Sequence, residues 1–105
     1  MKSSYKPFTR AVIQAIRSIP EGEVATYGDI AKACGSPNGA RQVVRVLSAL
    51  SEKEKLPWHR VVNKAGEVVI RGDGSFEQII RLRSEGVLFT SENRVNMEKH
   101  RHIFK

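Results

Sequence analysis

The stretch T-Y-G-D-I-A-K-A-C-G-S-P-N-G-A-R-Q-V-V-R-V-L, residues 26–47, predicts two short helices joined by a tight turn. Its first half, Tyr27–Ala33, has helical composition and is closed by Gly35, because glycine readily takes the left-handed backbone that ends a helix. The turn reads Gly-Ser-Pro, and Asn38 or Gly39 stands near the cap of the second helix. This arrangement is typical of a helix-turn-helix.

The second of these helices continues to Leu50 and separates an apolar face from a basic one. The two faces follow from a rotation of about 100° per residue along the helix. The apolar face holds Val43, Val46, Leu47 and Leu50, and the opposite face holds Arg41, Arg45 and Ser48. A basic face of this kind either contacts nucleic acid or is only solvated, and periodicity leaves both interpretations open.

A helix precedes this motif and a β-hairpin is expected to follow it. Apolar residues at helical spacing predict a first helix over residues 8–19, which Pro20 ends. Residues 60–62 and 67–70 have strand composition and flank Asn-Lys-Ala-Gly at 63–66, which has the composition of a hairpin loop. Such a hairpin would form the wing of a winged helix.

The last third of the chain predicts one more helix and a tail. Ser75 followed by Gln78 matches a capping box and predicts a helix over residues 76–85, ended by Gly86. Residues 90–105 are polar and basic with weak periodicity, so we expect a loosely packed arm or a partly disordered tail. The predicted fold is therefore a small single α+β domain over residues 1–105, helix-rich, with a winged helix-turn-helix-like core (about 8–89) and a short β-hairpin.

Composition limits the class of protein. A chain of 105 residues suits one hydrophobic core, and 40% apolar with 28% charged residues suits a globular protein. No apolar run is long enough to span a bilayer and no secretion signal is apparent, so we expect an intracellular protein, in the cytoplasm or nucleoid if bacterial. A net charge of +7 matches a phosphate-rich partner, although a basic surface that serves only solubility remains open. A single cysteine, Cys34, excludes an internal disulfide.

The stretch L-P-W-H-R-V-V, residues 56–62, holds the only tryptophan of the chain. An indole offers apolar area, a π-face and one N–H donor, but no nucleophile and no titratable group. His59 beside it lacks the reactive partner that catalysis by nucleophile and base requires. From these residues alone, Trp58 is either a core anchor or the floor of a binding site.

Four motifs in order carry a resemblance to a known family: I-P-E-G-E-V-A-T-Y-G-D-I-A at 19–31, G-A-R-Q-V-V at 39–44, P-W-H-R-V-V at 57–62 and S-E-G at 84–86. Together they resemble the C-terminal domain of the O6-alkylguanine-DNA alkyltransferases, over about residues 8–89. In that family a cysteine stands at the position of Trp58 and takes the alkyl group irreversibly. Tryptophan at this position is typical of the alkyltransferase-like proteins, which bind the lesion but do not transfer its alkyl group.

The resemblance implies residue roles at the DNA. Tyr27 would crowd the phosphate of the target nucleotide and rotate it out of the stack, and Arg41 would enter the duplex to fill the gap. Thr26 and Ala40 would contact the backbone or the shallow minor groove, with the small Ala40 permitting close approach. Weaker phosphate contacts are expected from Arg45, Lys64, Lys99, Arg101 and Lys105.

The resemblance also implies a lesion pocket lined by Tyr27, Trp58, Val61 and Arg71. The Arg71 cation would lie against the π-face of the extruded base. His59 and Glu85 match the partners that activate the missing thiol, so without it they would be left as a structural hydrogen-bonding pair. We expect no catalytic residue and no cofactor. We also expect no metal site, because His100 and His102 have no carboxylate or cysteine beside them in the sequence.

The function that the resemblance implies is binding of double-stranded DNA that contains O6-alkylguanine, by a monomer that flips the base and flags it for nucleotide excision repair proteins. Two alternatives remain open. The first is a residual alkyltransferase or hydrolase that uses His59 or Cys34, and the second is a sequence-specific winged-helix regulator.

Overall fold

The architecture is a three-helix unit packed against a smaller unit of short strands and two further helices. A computed structural model describes residues 5–68 and 73–104. Its helices are α1 (Pro7–Arg17), α2 (Tyr27–Ala33), α3 (Ala40–Leu50), α4 (Asp73–Ser84) and α5 (Met97–His100). Its strands are β1 (Ala25–Thr26), β2 (Val61–Val62), β3 (Phe89–Ser91) and β4 (Arg94–Val95). No helix among the described residues is both long and apolar enough to cross a membrane.

The predicted helix-turn-helix is confirmed in α2 and α3. The second helix ends as expected, because Gly35 takes a φ of +81°, a conformation that glycine adopts without strain. Gly39 is the N-cap of α3. On α3, Val43 and Leu47 are buried, whereas the opposite face with Arg41 and Arg45 is exposed, as the periodicity predicted.

Two apolar clusters form the core, and β2 joins them. The first cluster comprises Val12, Ile13, Ile16, Ile19, Ala25, Ile30, Ala31, Val43, Leu47, Leu56 and Val61. The second comprises Val24, Val62, Val68, Leu82, Val87 and Val95. Because successive side chains of a strand point to opposite faces, Val61 enters the first cluster and Val62 the second.

Among the described residues, the predicted hairpin over residues 60–70 forms only at its turn, where the amide of Asn63 donates to the carbonyl of Glu67 at 3.2 Å. A turn does form, since the amide of Gly66 donates to the carbonyl of Asn63 at 2.9 Å. The strand before it, β2, instead pairs in parallel with β1, and Glu67 after it forms an antiparallel bridge to Arg94. Residues 69 and 70 of the predicted hairpin lie outside the described residues. The hairpin that the described residues contain is β3–β4.

The C-terminal part also differs from its prediction. Helix α4 begins at Asp73, so Ser75 lies inside it and the Ser75–Gln78 capping box does not form its start. The end of α4 before Gly86 is close to the expected position. Residues 90–104 are not a loose arm, because they form β4 and α5 and the carbonyl of His100 accepts from Val24 at 2.8 Å.

Candidate nucleic-acid interface

The N-terminus of α2 is fixed by a capping box. The Thr26 hydroxyl accepts from the amide of Asp29 at 3.0 Å, and the Asp29 carboxylate accepts from the amide of Thr26 at 3.3 Å. Thr26 was predicted to contact DNA. Thr26 is only 5% exposed and its hydroxyl oxygen accepts from Asp29 inside the protein, so little of this residue is accessible for a contact with DNA.

Tyr27 is the first residue of α2 and lies directly after this cap. Its ring is half-buried and packs against the first apolar cluster, and this partial burial raises the pKa of its phenol above the usual value. A neutral, well-anchored phenol at a helix start can press against a phosphate group or donate a hydrogen bond to it.

Helix α3 presents the cations that were predicted for DNA binding. Arg41 and Arg45 are exposed, and Ala40, the first residue of the helix, is half-buried. An added Cβ at the cap residue Gly39 would lie 2.8 Å from the hydroxyl oxygen and 3.0 Å from the carbonyl oxygen of Ser36, so a side chain there would require the turn to shift. The turn therefore brings the backbone of the α3 N-terminus close to Ser36 and places Arg41 one residue into the helix.

Trp58 lies at the edge of the core, at the start of a 3-10 turn that spans Trp58–Arg60. Its indole is half-buried against the first cluster and meets the His59 ring edge to face, with ring centroids 6.2 Å apart. The Arg81 guanidinium lies 5.7 Å from the indole centroid, within the range of a cation–π contact. Trp58 is thus packed on the core but accessible at its outer part, which combines the two interpretations that the sequence left open.

Behind Trp58, one carboxylate holds the 3-10 turn in place. Glu85 Oε2 accepts from His59 Nε2 at 2.7 Å and from Arg60 Nη2 at 2.8 Å. Arg60 Nη1 also donates to the carbonyl of Ile19 at 2.8 Å. Partial burial alone would raise the pKa of Glu85, but the hydrogen bonds from Arg60, His59 and the Gly22 amide lower it to about 2. The predicted His59–Glu85 pair is confirmed, and Arg60 joins it.

Gln78 is a site residue that the sequence analysis missed. Its side chain is 1% exposed, and its amide nitrogen donates to the carbonyls of His59 at 3.1 Å and Val61 at 2.9 Å. Among the described residues, its Oε1 and the Nδ1 of His59 are buried without a hydrogen-bond partner. Because Glu85 is a carboxylate, Nε2 of His59 is the donor in the bond between them. The spacing of Ser75 and Gln78 indicated only a helix cap, so nothing in the local pattern pointed to this role.

The other residues that the sequence singled out differ in their burial. Val61 is 2% exposed and belongs to the first cluster, so its side chain lies beneath the surface on which Trp58 opens. Lys64 is exposed in the turn after β2. Arg71 lies outside the described residues. Cys34 is the C-cap of α2 and packs against the first cluster, where burial raises the pKa of its thiol.

A helix-turn-helix with arginines exposed along its second helix defines a small DNA-binding domain. The chain belongs to the family of the 6-O-methylguanine DNA methyltransferase DNA-binding domain, whose family model matches residues 7–87. The DNA base-flipping protein of Escherichia coli K12 is 44% identical over 94 residues, which cover 90% of this chain and 73% of that protein.

Two comparisons with proteins of fission yeast agree with the assignment to this family. Alkyltransferase-like protein 1 of Schizosaccharomyces pombe is 42% identical over 82 residues, which cover 76% of each chain. The crystal structure of S. pombe Atl1 with damaged DNA containing O6-carboxymethylguanine superposes with a TM-score of 0.79 at 35% identity. That match covers 97% of this chain and 98% of the other, so it includes residues beyond the end of the family model at Val87.

Proposed function

We propose that the protein binds double-stranded DNA containing O6-alkylguanine, rotates the damaged base out of the stack and holds it beside Trp58 without removing the alkyl group. The base-flipping name of the E. coli relative and the damaged DNA in the S. pombe structure support this proposal. A net charge of +7 and the exposed arginines of α3 supply the electrostatic attraction to the duplex.

The observation that carries the proposal is the position of Trp58 beside the His59–Glu85 pair. An alkyl transfer needs a nucleophile at this place, and an indole has none. The only thiol of the chain belongs to Cys34, which is the C-cap residue of α2 and packs against the first cluster. The site therefore retains the buried base and its carboxylate but lacks the atom that would accept an alkyl group.

Binding energy then supplies the selectivity. Extruding a base costs a few kcal/mol, and the cost is least where pairing is already weakened, as it is by an alkyl group on the guanine oxygen. Tyr27 drives the rotation, Arg41 fills the vacated space, and Trp58 and Arg71 stack on the extruded base. Ala40 lets the backbone approach the minor groove, and Arg45 and Lys64 contact phosphate.

The consequence of holding a lesion without repairing it is that another system must remove it. We propose that the bound complex is passed to nucleotide excision repair proteins, and that the protein acts inside the cell as a monomer. The flipped base and distorted duplex would mark the place of damage for those proteins.

The test is a pair of fluorescein-labelled duplexes that differ only in one O6-methylguanine, compared by fluorescence anisotropy at fixed salt. We expect the damaged duplex to bind more tightly, by about tenfold or more. Emission of Trp58, the only tryptophan, should change more with the damaged duplex than with the undamaged one. A second assay follows a radiolabelled methyl group, which should stay in the DNA. Transfer of the label, or a preference for one sequence irrespective of damage, would contradict the proposal.

A further inference from the structure

The C-terminal segment, residues 100–104, lies along the approach to α2. The carbonyl of His100 accepts from the amide of Val24 at 2.8 Å, and the amide of His102 donates to the carbonyl of Val24 at 2.7 Å. His102 Nδ1 lies 2.6 Å from Oε1 of Glu23. This segment therefore pairs with the residues that lead into β1 and the α2 cap.

Within this segment, Arg101 makes a two-bond ion pair with Asp29. Its Nε donates to Asp29 Oδ2 at 2.9 Å, and its Nη2 donates to Oδ1 at 2.6 Å. Burial tends to raise the pKa of Asp29, but the bonds from Arg101 and Thr26 outweigh it and lower the pKa. A bidentate guanidinium contact fixes the plane of a carboxylate as well as its charge.

The same Asp29 carboxylate forms half of the capping box of α2. Its Oδ2 accepts both from Arg101 and from the amide of Thr26. Tyr27 is the first helical residue and lies between Thr26 and Asp29 in the chain. A chain of hydrogen bonds thus runs from the C-terminal segment to Thr26, the residue that directly precedes the tyrosine.

We propose that Arg101 is a positioning residue that fixes Tyr27 for base extrusion by holding the Asp29 side of the α2 cap. This inference rests on the proposed function. It differs from the expectation from the sequence that Arg101 contacts phosphate, because among the described residues the guanidinium donates to Asp29.

The matched control is Arg94, on β4. Arg94 and Arg101 each have a side chain that is 50% exposed and each pairs with one carboxylate, Glu67 or Asp29. Replacing either arginine by alanine removes one positive charge, so any general loss of attraction to DNA is the same in both. Only Arg101 is connected to the cap of α2.

The experiment measures the ratio of affinities for the O6-methylguanine duplex and the undamaged duplex over a series of salt concentrations. Arg101→Ala should lower this ratio by about fivefold to tenfold, the size expected for loss of a coupled hydrogen-bonded contact. Arg94→Ala should leave the ratio unchanged. The slope of log affinity against log salt should be equal in the two variants. The inference would be overturned if Arg101→Ala, but not Arg94→Ala, lowered the affinity for both duplexes equally and reduced the slope by about 0.9. That result would show that Arg101 contacts a phosphate.

A second variant tests the same contact from the other side. Asp29→Asn keeps the size of the side chain and raises the net charge, so a phosphate-binding Arg101 would be released and both duplexes would bind more tightly. The positioning role predicts that the ratio falls instead. Circular dichroism identifies any variant that fails to fold, and Asp29→Asn then decides in place of Arg101→Ala.

The decisive comparison uses a Tyr27→Ala background. There Arg101→Ala should cause no further loss of the affinity ratio, because the residue through which it acts is gone. An equal loss in both backgrounds would overturn the inference. If the unsubstituted protein shows no preference for the lesion, the proposed function itself fails. A preference that survives Arg101→Ala unchanged contradicts only the positioning role.

Discussion

The Nε2 atom of His59 lies 2.7 Å from Oε2 of Glu85, so the imidazole next to Trp58 donates to a carboxylate and is held in one orientation. Arg60 binds the same carboxylate and reaches the carbonyl of Ile19. These bonds attach the 3-10 turn at two places. One is Ile19, which lies just after α1, and the other is Glu85, which follows α4. Glu85 therefore attaches the turn that carries Trp58 to the end of α4, in addition to the bonds that Gln78 makes to the same turn.

Loss of the Glu85 charge should destabilise the fold in a pH-dependent way. The pKa of Glu85 in the folded protein is about 2 against an ordinary 4.5, so its contribution is fully present above pH 4.5 and is lost as the pH falls toward 2. Glu85→Gln should cost on the order of 3 kcal/mol near pH 7, because it removes the negative charge that pairs with Arg60 and His59 and leaves one acceptor oxygen where there were two. Urea unfolding of both proteins at pH 7 and pH 3 measures the effect.

The control for that experiment is Glu77→Gln. Glu77 pairs with Arg81 on the exposed side of α4, where ion pairs contribute about 0.5 kcal/mol or less. Its effect should be small at both pH values. A Glu85→Gln protein whose stability difference from the unsubstituted protein is unchanged at pH 3 would contradict the assigned role of the carboxylate.

Gln78 should be required for the shape of the Trp58 turn. Gln78→Leu leaves the carbonyls of His59 and Val61 without their donor, and each buried unpaired group costs about 1–3 kcal/mol. Gln78→Glu should be worse, since it sets a carboxylate against two carbonyl oxygens. Thermal unfolding gives the stability, and Trp58 emission in the folded protein reports the turn. Two variants as stable as the original would refute this role.

Arg81 should affect Trp58 emission in the free protein. Arg81→Ala removes the cation 5.7 Å from the indole centroid, and both the emission maximum and intensity should shift. Stability should change by less than about 1 kcal/mol, because the side chain is half-exposed. Arg83→Ala is the matched control, since Arg83 lies 4.6 Å from the ring of Phe89 instead. The same spectral change in both variants would argue against a contact specific to Trp58.

Arg41 should be required for lesion preference but not for stability. It is exposed in the first turn of α3, so Arg41→Ala should change the free energy of unfolding by less than about 0.5 kcal/mol. Its removal should lower the affinity ratio between damaged and undamaged duplexes. Arg45→Ala, one turn further along α3, should weaken both duplexes equally. A large loss of thermal stability in Arg41→Ala would contradict the assignment.

The parts of the fold that the sequence predicted well depend on local chemistry. Helix α2 has its own stop at Gly35, and α3 has a periodicity that separates Val43 and Leu47 from Arg41 and Arg45. Such signals lie within a few residues of the structure they determine. The His59–Glu85 pair came from the family resemblance and not from spacing, because the two residues are far apart in the chain.

The parts that it predicted poorly depend on distant partners. Strand β2 has the composition of a hairpin strand but pairs with β1, which precedes it by more than 30 residues. Gln78 has the spacing of a cap, yet burial against the 3-10 turn decides its role. The C-terminal segment has weak periodicity because its attachment uses backbone pairing with Val24 and charges on Glu23 and Asp29.

Strand β2 is only two residues long, yet its side chains enter both apolar clusters. Neither cluster can separate from the other without withdrawing Val61 or Val62, so the two should melt in a single cooperative step. The amides of β2 would then exchange with solvent only on global unfolding. The turn that carries Trp58 would then be followed directly by backbone that opens only on global unfolding, which would give the surface that holds the damaged base a rigid support.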